Sequence, residues 1–444
     1  MIIDYSYGGA VMQHFSPELV KKSLFLSIDS LLVDRQEFLE NPKTDFTRNK
    51  KISFAQTMLF PMIAGYDTLE NLMINFFDGS SVPYPSAMIQ RRSKIKPSAF
   101  LHLFYRFTRK IPLLKTFRGF RLIACDGSRL NLPYNPSDQD TFIQCIKNRK
   151  GINQLHLNAM YDILNDVFVD VEIQSIPQMD EKNAFCRLLK NQIDSPKSIF
   201  IADRGYAAYN IFAHAIHNDQ LFLIRVPQKF AKDICTNQGN WLESDSADTE
   251  VIVHVGRRKT KANLQLENYH CIPKKGHYDF IETGSNDFDI LKLRVLKFPL
   301  DDGTDEYIVT NLPKYSCSMD TIKELYWLRW GVETAFRHLK YAGDMVHIHS
   351  IKKDFLLQEI YAKLTMYNFS AFIAMCAPEH KENVSYKHTY VINHTQLQKI
   401  CKKFLREKVE NVLDLIGRAW VPVRPGRKFD RNLRRQSAGT LAYR

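Results

Sequence analysis

None of the eight cysteines forms a C-x-x-C or other closely spaced pair. That excludes a zinc ribbon and a disulfide framework at the level of sequence, so Cys125, Cys145, Cys186, Cys235, Cys271, Cys317, Cys376 and Cys401 are expected to be reduced thiols. No segment reaches the eighteen or so uninterrupted apolar residues of a membrane span. The opening MIIDYSYGGAVMQHF has neither a basic leader region nor a long apolar run. A cytoplasmic chain that does not engage a membrane is therefore expected. Internal repeats and low-complexity tracts are also missing, which removes solenoids and arrays from consideration. What is present is 444 residues with 45% apolar content, enough for two or three folded domains.

Acidic residues are scarce where they would matter most. None occurs between Asp78 and Asp126, while Arg91, Arg92, Lys94, Lys96, Arg106, Arg109, Lys110, Lys115, Arg118 and Arg121 all fall in that interval. Phe100, Phe104, Tyr105 and Phe107 are interleaved with them. Such a tract suits phosphate neutralisation by its cations and anchoring by its aromatics, and Arg91 and Arg92 are its candidate DNA-phosphate contacts. The whole chain carries 61 Lys and Arg against 48 Asp and Glu, a net charge of +13, which makes a polyanion the first partner to consider. A second basic tract, RAWVPVRPGRKFDRNLRRQ, lies near the C-terminus with Asp430 as its lone acid.

Apolar periodicity divides the chain. Residues 16 to 40 and 52 to 77 repeat apolar positions at three- and four-residue steps, with Ser16 a fitting N-cap, so residues 1–118 are expected to form a helical domain, and the basic tract within it makes it the candidate for DNA binding. RLIACDGS, LHLNAMYDIL, DVFVDVEIQS, SIFIADRGY and LFLIRVP then read as short buried strands, with helical periods between the later ones. Residues 119–226 thus predict the first part of a mixed α/β sheet with helices packed on it. In 227–305 the helical signal fades, and EVIVHVG and FDILKLRVLKF indicate a β-rich insertion. A second part of the core is expected over 306–375, followed by a C-terminal helical region and basic tail over 376–444.

Three acids have suggestive positions. Asp126 is expected at the end of the strand LIAC and Asp203 at the end of SIFIA, where ligands collect in open α/β sheets. YWLRWGVETAFRHLK, wound as one α-helix from Thr321 or Ser318, puts Tyr326, Arg329, Glu333 and Lys340 within roughly 60° of one another. Leu328, Val332, Ala335 and Leu339 line the opposite, core-facing side. If that helix crosses the strand ends, three carboxylates meet and would repel unless they shared divalent metal. Oxygen donors without His or Cys favour Mg²⁺ or Mn²⁺ over zinc, and two such ions suit phosphodiester chemistry. Asp162, Arg204 and Tyr206 are supporting polar candidates.

CDGSRLNLP, IADRGYAAYN and YWLRWGVETAFRHLK resemble the three acidic motifs of the IS4-family transposases. These form a branch of the DDE transposases with a ribonuclease-H-like fold. Tyr326, Arg329, Glu333 and Lys340 match the family signature without a departure in spacing, and the likeness runs from about residue 45 through QEIYAKLTMYN. The resemblance implies a ribonuclease-H-like mixed sheet interrupted by a β insertion, with Asp126, Asp203 and Glu333 binding two Mg²⁺ or Mn²⁺ ions. It further implies that Tyr326, Arg329 and Lys340 grip DNA phosphates, and that an aromatic of the insertion, Trp241 or Tyr307, holds a flipped base. His349 and Glu359 match recurrent positions to which the sequence gives no role. The implied activity is cut-and-paste transposition by a homodimer, in the nucleoid-associated cytoplasm of a bacterium. It would act on the inverted-repeat ends and on target DNA. The alternatives are an inactive relative that only binds DNA, and a ribonuclease-H-like nuclease that cuts without joining.

Overall fold

The computed structural model describes residues 5–7 and 16–423 apart from 49, 78–80, 113–114, 145–149, 194, 237–240, 242, 301 and 378–389. The basic tail from Arg424 onward lies outside the described residues. Among the N-terminal helices are α1 (Pro17–Val33), α2 (Phe54–Ile63), α3 (Pro85–Arg92) and α4 (Pro97–Lys110). Ser16 caps α1 by accepting from the Leu19 N–H, and Ser53 with Gln56 forms a capping box on α2. Pro at the first position of α3 and α4 starts a helix at no hydrogen-bonding cost.

The sheet begins at β1 (Arg121–Leu132), entered by a tight turn in which Arg118 and Gly119 take φ of 50° and 83°. It continues through β2 (Ile152–Asp162), β3 (Val167–Ser175), β4 (Ser198–Ala202) and β5 (Leu221–Arg225), with α5 (Glu181–Asn191) before β4 and α6 (Tyr209–His217) before β5. β1 pairs antiparallel with β2 and β2 with β3, whereas β4 lies parallel to β1 and β5 parallel to β4. The spatial order β3-β2-β1-β4-β5 is a meander followed by two parallel crossovers through helices, the mixed sheet with flanking helices that the sequence predicts.

The insertion does not stand apart from this sheet. Its strands β6 (Ala247–Gly256), β7 (Tyr269–Cys271) and β8 (Phe288–Pro299) join β9 (Asp305–Thr310), and β9 pairs antiparallel with β5. The order β7-β6-β8-β9-β5 carries the core sheet on to ten strands. Residues 227–305 are also not free of helix, since Gln228–Ile234 form two turns ahead of β6. Their apolar Phe230, Ala231 and Ile234 close over the same cluster as Val251, Val253 and Leu293, a packing gain that local periodicity does not display.

Three further helices complete the parts that matter. α7 (Met319–Leu328) and α8 (Trp330–Arg337) carry the acidic motif, and α9 (Lys353–Met375) runs through the interior. Ser318, not Thr321, is the N-cap of α7. Fifteen residues of α9 are buried, on every side of the helix, as expected of one surrounded by protein. It shares a core with Leu24, Met58, Phe100 and Phe107 of α1, α2 and α4, and with Leu397 and Cys401 of α10 (His394–Leu405). The first 118 residues therefore close their core with helices from the other end of the chain.

Candidate functional site

β4 ends at Ala202, which sits opposite Cys125, so the next residues along the two parallel strands, Asp126 and Asp203, stand side by side. β1 itself does not end there. Contrary to the sequence expectation, it continues to Leu132, because its other edge is still paired with β2 as far as Asn153. The carboxylates emerge at a step in the sheet where one neighbour stops. Asp126 Oδ1 accepts from the Gly127 N–H at 2.8 Å, and Asp203 Oδ1 from the Arg204 N–H at 2.6 Å, which caps a short 3₁₀ turn.

The acidic motif is not one continuous α-helix. The ladder is interrupted at Arg329, whose N–H reaches Tyr326 and Trp327 carbonyls, and residues His338–Ala342 widen into a π-helical turn. The four motif side chains nevertheless reach the Asp126–Asp203 step. Tyr326 donates to Asp203 Oδ1 at 3.4 Å, and Arg329 Nη2 lies 3.1 Å from Glu333 Oε1. Lys340 Nζ donates to Ser128 Oγ at 2.7 Å, two residues beyond Asp126. Val332, Ala335 and Leu339 are buried on the far side, as the stripe required, with Leu328 partly so.

Arg329 is the hub. It is 3% exposed, and its guanidinium lies 4.8 Å from the Trp330 ring. Burial works against its charge, but Tyr326, Asp203, Glu333 and Asp126 together hold its pKa above the ordinary value. Asp126 is pushed up to about 6 by burial, against the Gly127 N–H and Arg329, with the like charges of Glu333 and Glu181 adding to the rise. Lys340 is lowered by burial and partly restored by Asp126.

Among the described residues no three His, Cys, Asp or Glu side chains stand close enough together to hold a metal ion. The acids share one edge with Arg329 among them, and Glu333 is turned to that guanidinium. The donors present, Asp126, Asp203 and Glu333, are nonetheless all hard oxygens. That chemistry fits Mg²⁺ or Mn²⁺.

The two other candidates, Arg91 and Arg92, are not brought to this edge. Arg92 requires correction: it is 7% exposed, donates to Gln358 and the Phe355 carbonyl, and lies 3.6 Å from Glu359. A guanidinium so enclosed is a strut between α3 and α9 and is closed to phosphate. Arg91 has its guanidinium over the Phe46 ring, 3.8 Å from the centroid, and is partly buried. The same strut explains His349 and Glu359. Glu359 accepts from the His349 and Ser350 N–H groups and from the Ser350 hydroxyl, while His349 Nε2 pairs with the Gly65 carbonyl.

Asp162 is fully buried and accepts from Asn165, so it serves the turn after β2. Arg204 lines a cavity of about 460 Å³ with Arg225, Gln228 and Tyr307, and Tyr206 packs on Phe185. Trp241 and Tyr307 are both buried, 6.1 Å apart, and neither offers a free ring, whereas Trp327 and Trp330 beside the motif are exposed. The sequence reasoning passed over these two tryptophans, and also His156 and Glu181. Nothing in the spacing of the latter pair marks it, because β2 and α5 meet only in the folded sheet.

Residues 118–369 match a family model described as the transposase DDE domain. No curated protein matches. A solved structure, the piggyBac transposase synaptic complex with hairpin DNA, is similar at 9% identity with a TM-score of 0.47, over 96% of this chain and 90% of that one.

Proposed function

The chain belongs to the transposase DDE-domain family, and on that footing we propose that it is a cut-and-paste DNA transposase of the IS4 branch, acting with two Mg²⁺ or Mn²⁺ ions. The observation that carries the reading is the convergence of Asp126 and Asp203 with Tyr326, Arg329, Glu333 and Lys340 at one step in the sheet. Asp126, Asp203 and Glu333 are the ligands. When bound, the ions activate water or a 3′-hydroxyl and stabilise the leaving oxygen of a phosphodiester.

The protein's own side chains supply the rest. Lys340 exchanges the Ser128 hydroxyl for a phosphate oxygen, a charge-assisted contact stronger than the one it gives up. Arg329 presents a planar fork whose Nε has no hydrogen-bond partner among the described residues, and its transfer from Glu333 to a phosphate frees that carboxylate as a ligand. Tyr326 donates from the Asp203 side of the same phosphate. Two chains pair the inverted-repeat ends, and the freed 3′-hydroxyls attack target DNA.

The reading is tested by incubating the full-length protein with a duplex carrying the element's inverted repeat, a target plasmid and Mg²⁺. Joined products sensitive to EDTA support it. Cleavage without joining turns the reading to a nuclease, and binding without cleavage to an inactive DNA-binding relative.

A further inference from the structure

Between Glu40 and Asp67 the chain has a single acid, Asp45, and four cations, Lys43, Arg48, Lys50 and Lys51. The fold turns the acid inward. Asp45 is 2% exposed, lies 2.6 Å from the Lys94 ammonium and accepts from the Asn41 N–H at 3.0 Å. All four cations are exposed, and none has an acidic partner among the described residues. Their mutual repulsion finds no relief inside the protein.

The loop that carries them is tied to a second basic segment. The Glu40 N–H donates to the Lys94 carbonyl at 3.0 Å and the Lys96 N–H to the Phe38 carbonyl at 2.9 Å, which joins the start of the loop to the end of α3. Phe46 has a φ of 54°, a left-handed conformation that a bulky side chain keeps only where its surroundings impose it. Its ring meets the Phe54 ring edge-on at 5.2 Å and carries the Arg91 guanidinium over its face. No hydrogen bond or ion pair engages that guanidinium among the described residues, and its Nε is left unsatisfied. Asp45, the acid of the loop, is already spent on Lys94. A guanidinium fixed on a ring, with no anion of its own, is arranged for one from outside the chain.

We infer that Lys43, Arg48, Lys50, Lys51 and Arg91 form a second phosphate-binding surface, apart from the catalytic edge, that holds the backbone of duplex DNA. The inference rests on the proposed function for the identity of the polyanion. Contacts of this kind position a duplex and read no bases, so the surface gives grip without sequence preference.

Fluorescence-anisotropy titration of two duplexes with the full-length protein, one duplex carrying the element's inverted repeat and one of unrelated sequence, tests this between about 50 and 200 mM salt. Lys50→Ala/Lys51→Ala should flatten the slope of log affinity against log salt by about 2, and Arg91→Ala by about 1, equally for both duplexes. Lys190→Ala/Lys197→Ala removes the same charge from α5 and from the residue before β4, and should keep the wild-type slope. A wild-type slope in the Lys50/Lys51 pair, with a wild-type protein that binds DNA, overturns this inference and leaves the catalytic reading untouched. So does an equal flattening in the Lys190/Lys197 pair, which reduces the effect to net charge. A loss confined to the inverted-repeat duplex overturns it as well, by making the loop a reader of bases. A wild-type protein that binds neither duplex overturns the proposed function and this inference together.

Discussion

Arg329 and Arg92 are both buried arginines beside a glutamate, yet their surroundings are completed differently. Every nitrogen of Arg92 is engaged, by Gln358, the Phe355 carbonyl and Glu359, and Glu359 in turn takes two backbone N–H groups and a hydroxyl. Arg329 has one direct partner in Glu333, an Nε with none among the described residues, and several unneutralised carboxylates around it. Glu359 is 7% exposed at its side chain and Glu333 44%. A network that satisfies itself is structure. One that leaves charges short of partners is arranged for something that is not part of the chain.

The comparison breaks most sharply at the acids. Asp126→Ala, Asp203→Ala and Glu333→Ala are each expected to lower single-turnover cleavage of an end-containing duplex roughly a thousandfold or more, without adding in combination. Gel-shift affinity for the same duplex should hold, because phosphate contacts come from basic groups. Wild-type cleavage by any one variant removes that residue from the triad.

Glu359→Ala is expected to do the reverse. Leaving Arg92 buried without its anion and orphaning two N–H groups should cost about 3–5 kcal/mol of stability, read from urea denaturation. Glu333→Gln should cost clearly less, because Glu333 is 44% exposed and Arg329 keeps Asp126 and Asp203 beside it. Equal losses from both would erase the distinction drawn here.

A pH dependence sharpens it further. Asp126 is raised to about 6, so in metal-free protein its contribution to stability is fully present below about pH 4 and is lost as pH rises through about 6. Asp126→Asn should therefore stabilise the EDTA-treated protein by about 2 kcal/mol at pH 7.5 and hardly at all at pH 4. Denaturation curves at the two pH values check the sign, and Mn²⁺ should cancel the gain by stabilising wild type alone.

The smallest effect is expected at Arg329→Lys. A point charge replaces a planar fork, so cleavage or end joining should slow about tenfold while the fold is kept. Unchanged rates at every step would return Arg329 to the same class as Arg92.

Some of this was legible in the residues and some was not. Asp126, Asp203 and the Tyr326-to-Lys340 spacing were readable, since each lies on a strand or helix with its own periodicity. The helix carrying the motif was read as unbroken, although the chain tightens at Arg329 and widens at His338–Ala342. Periodicity reports which face is apolar and is blind to a single residue gained or lost per turn. Arg92 was misread because charge in a sequence carries no sign of depth. Its partners, Gln358 and Glu359, lie 266 and 267 positions away.

By itself, then, the sequence determined the composition of the site: hard oxygen donors, a fixed helical spacing of cations around one of them, and strands short and apolar enough to be buried. Those properties are local, set by side-chain chemistry and the geometry of a turn or a pleat. Only the tertiary structure decided which cations stay open and which are spent inside. It also decided that the insertion extends the central sheet and that α9 closes the core of the first helices. Each of these depends on segments far apart in the chain. Burial and pairing are set by whichever surface the fold brings opposite, and no run of neighbouring residues encodes that surface.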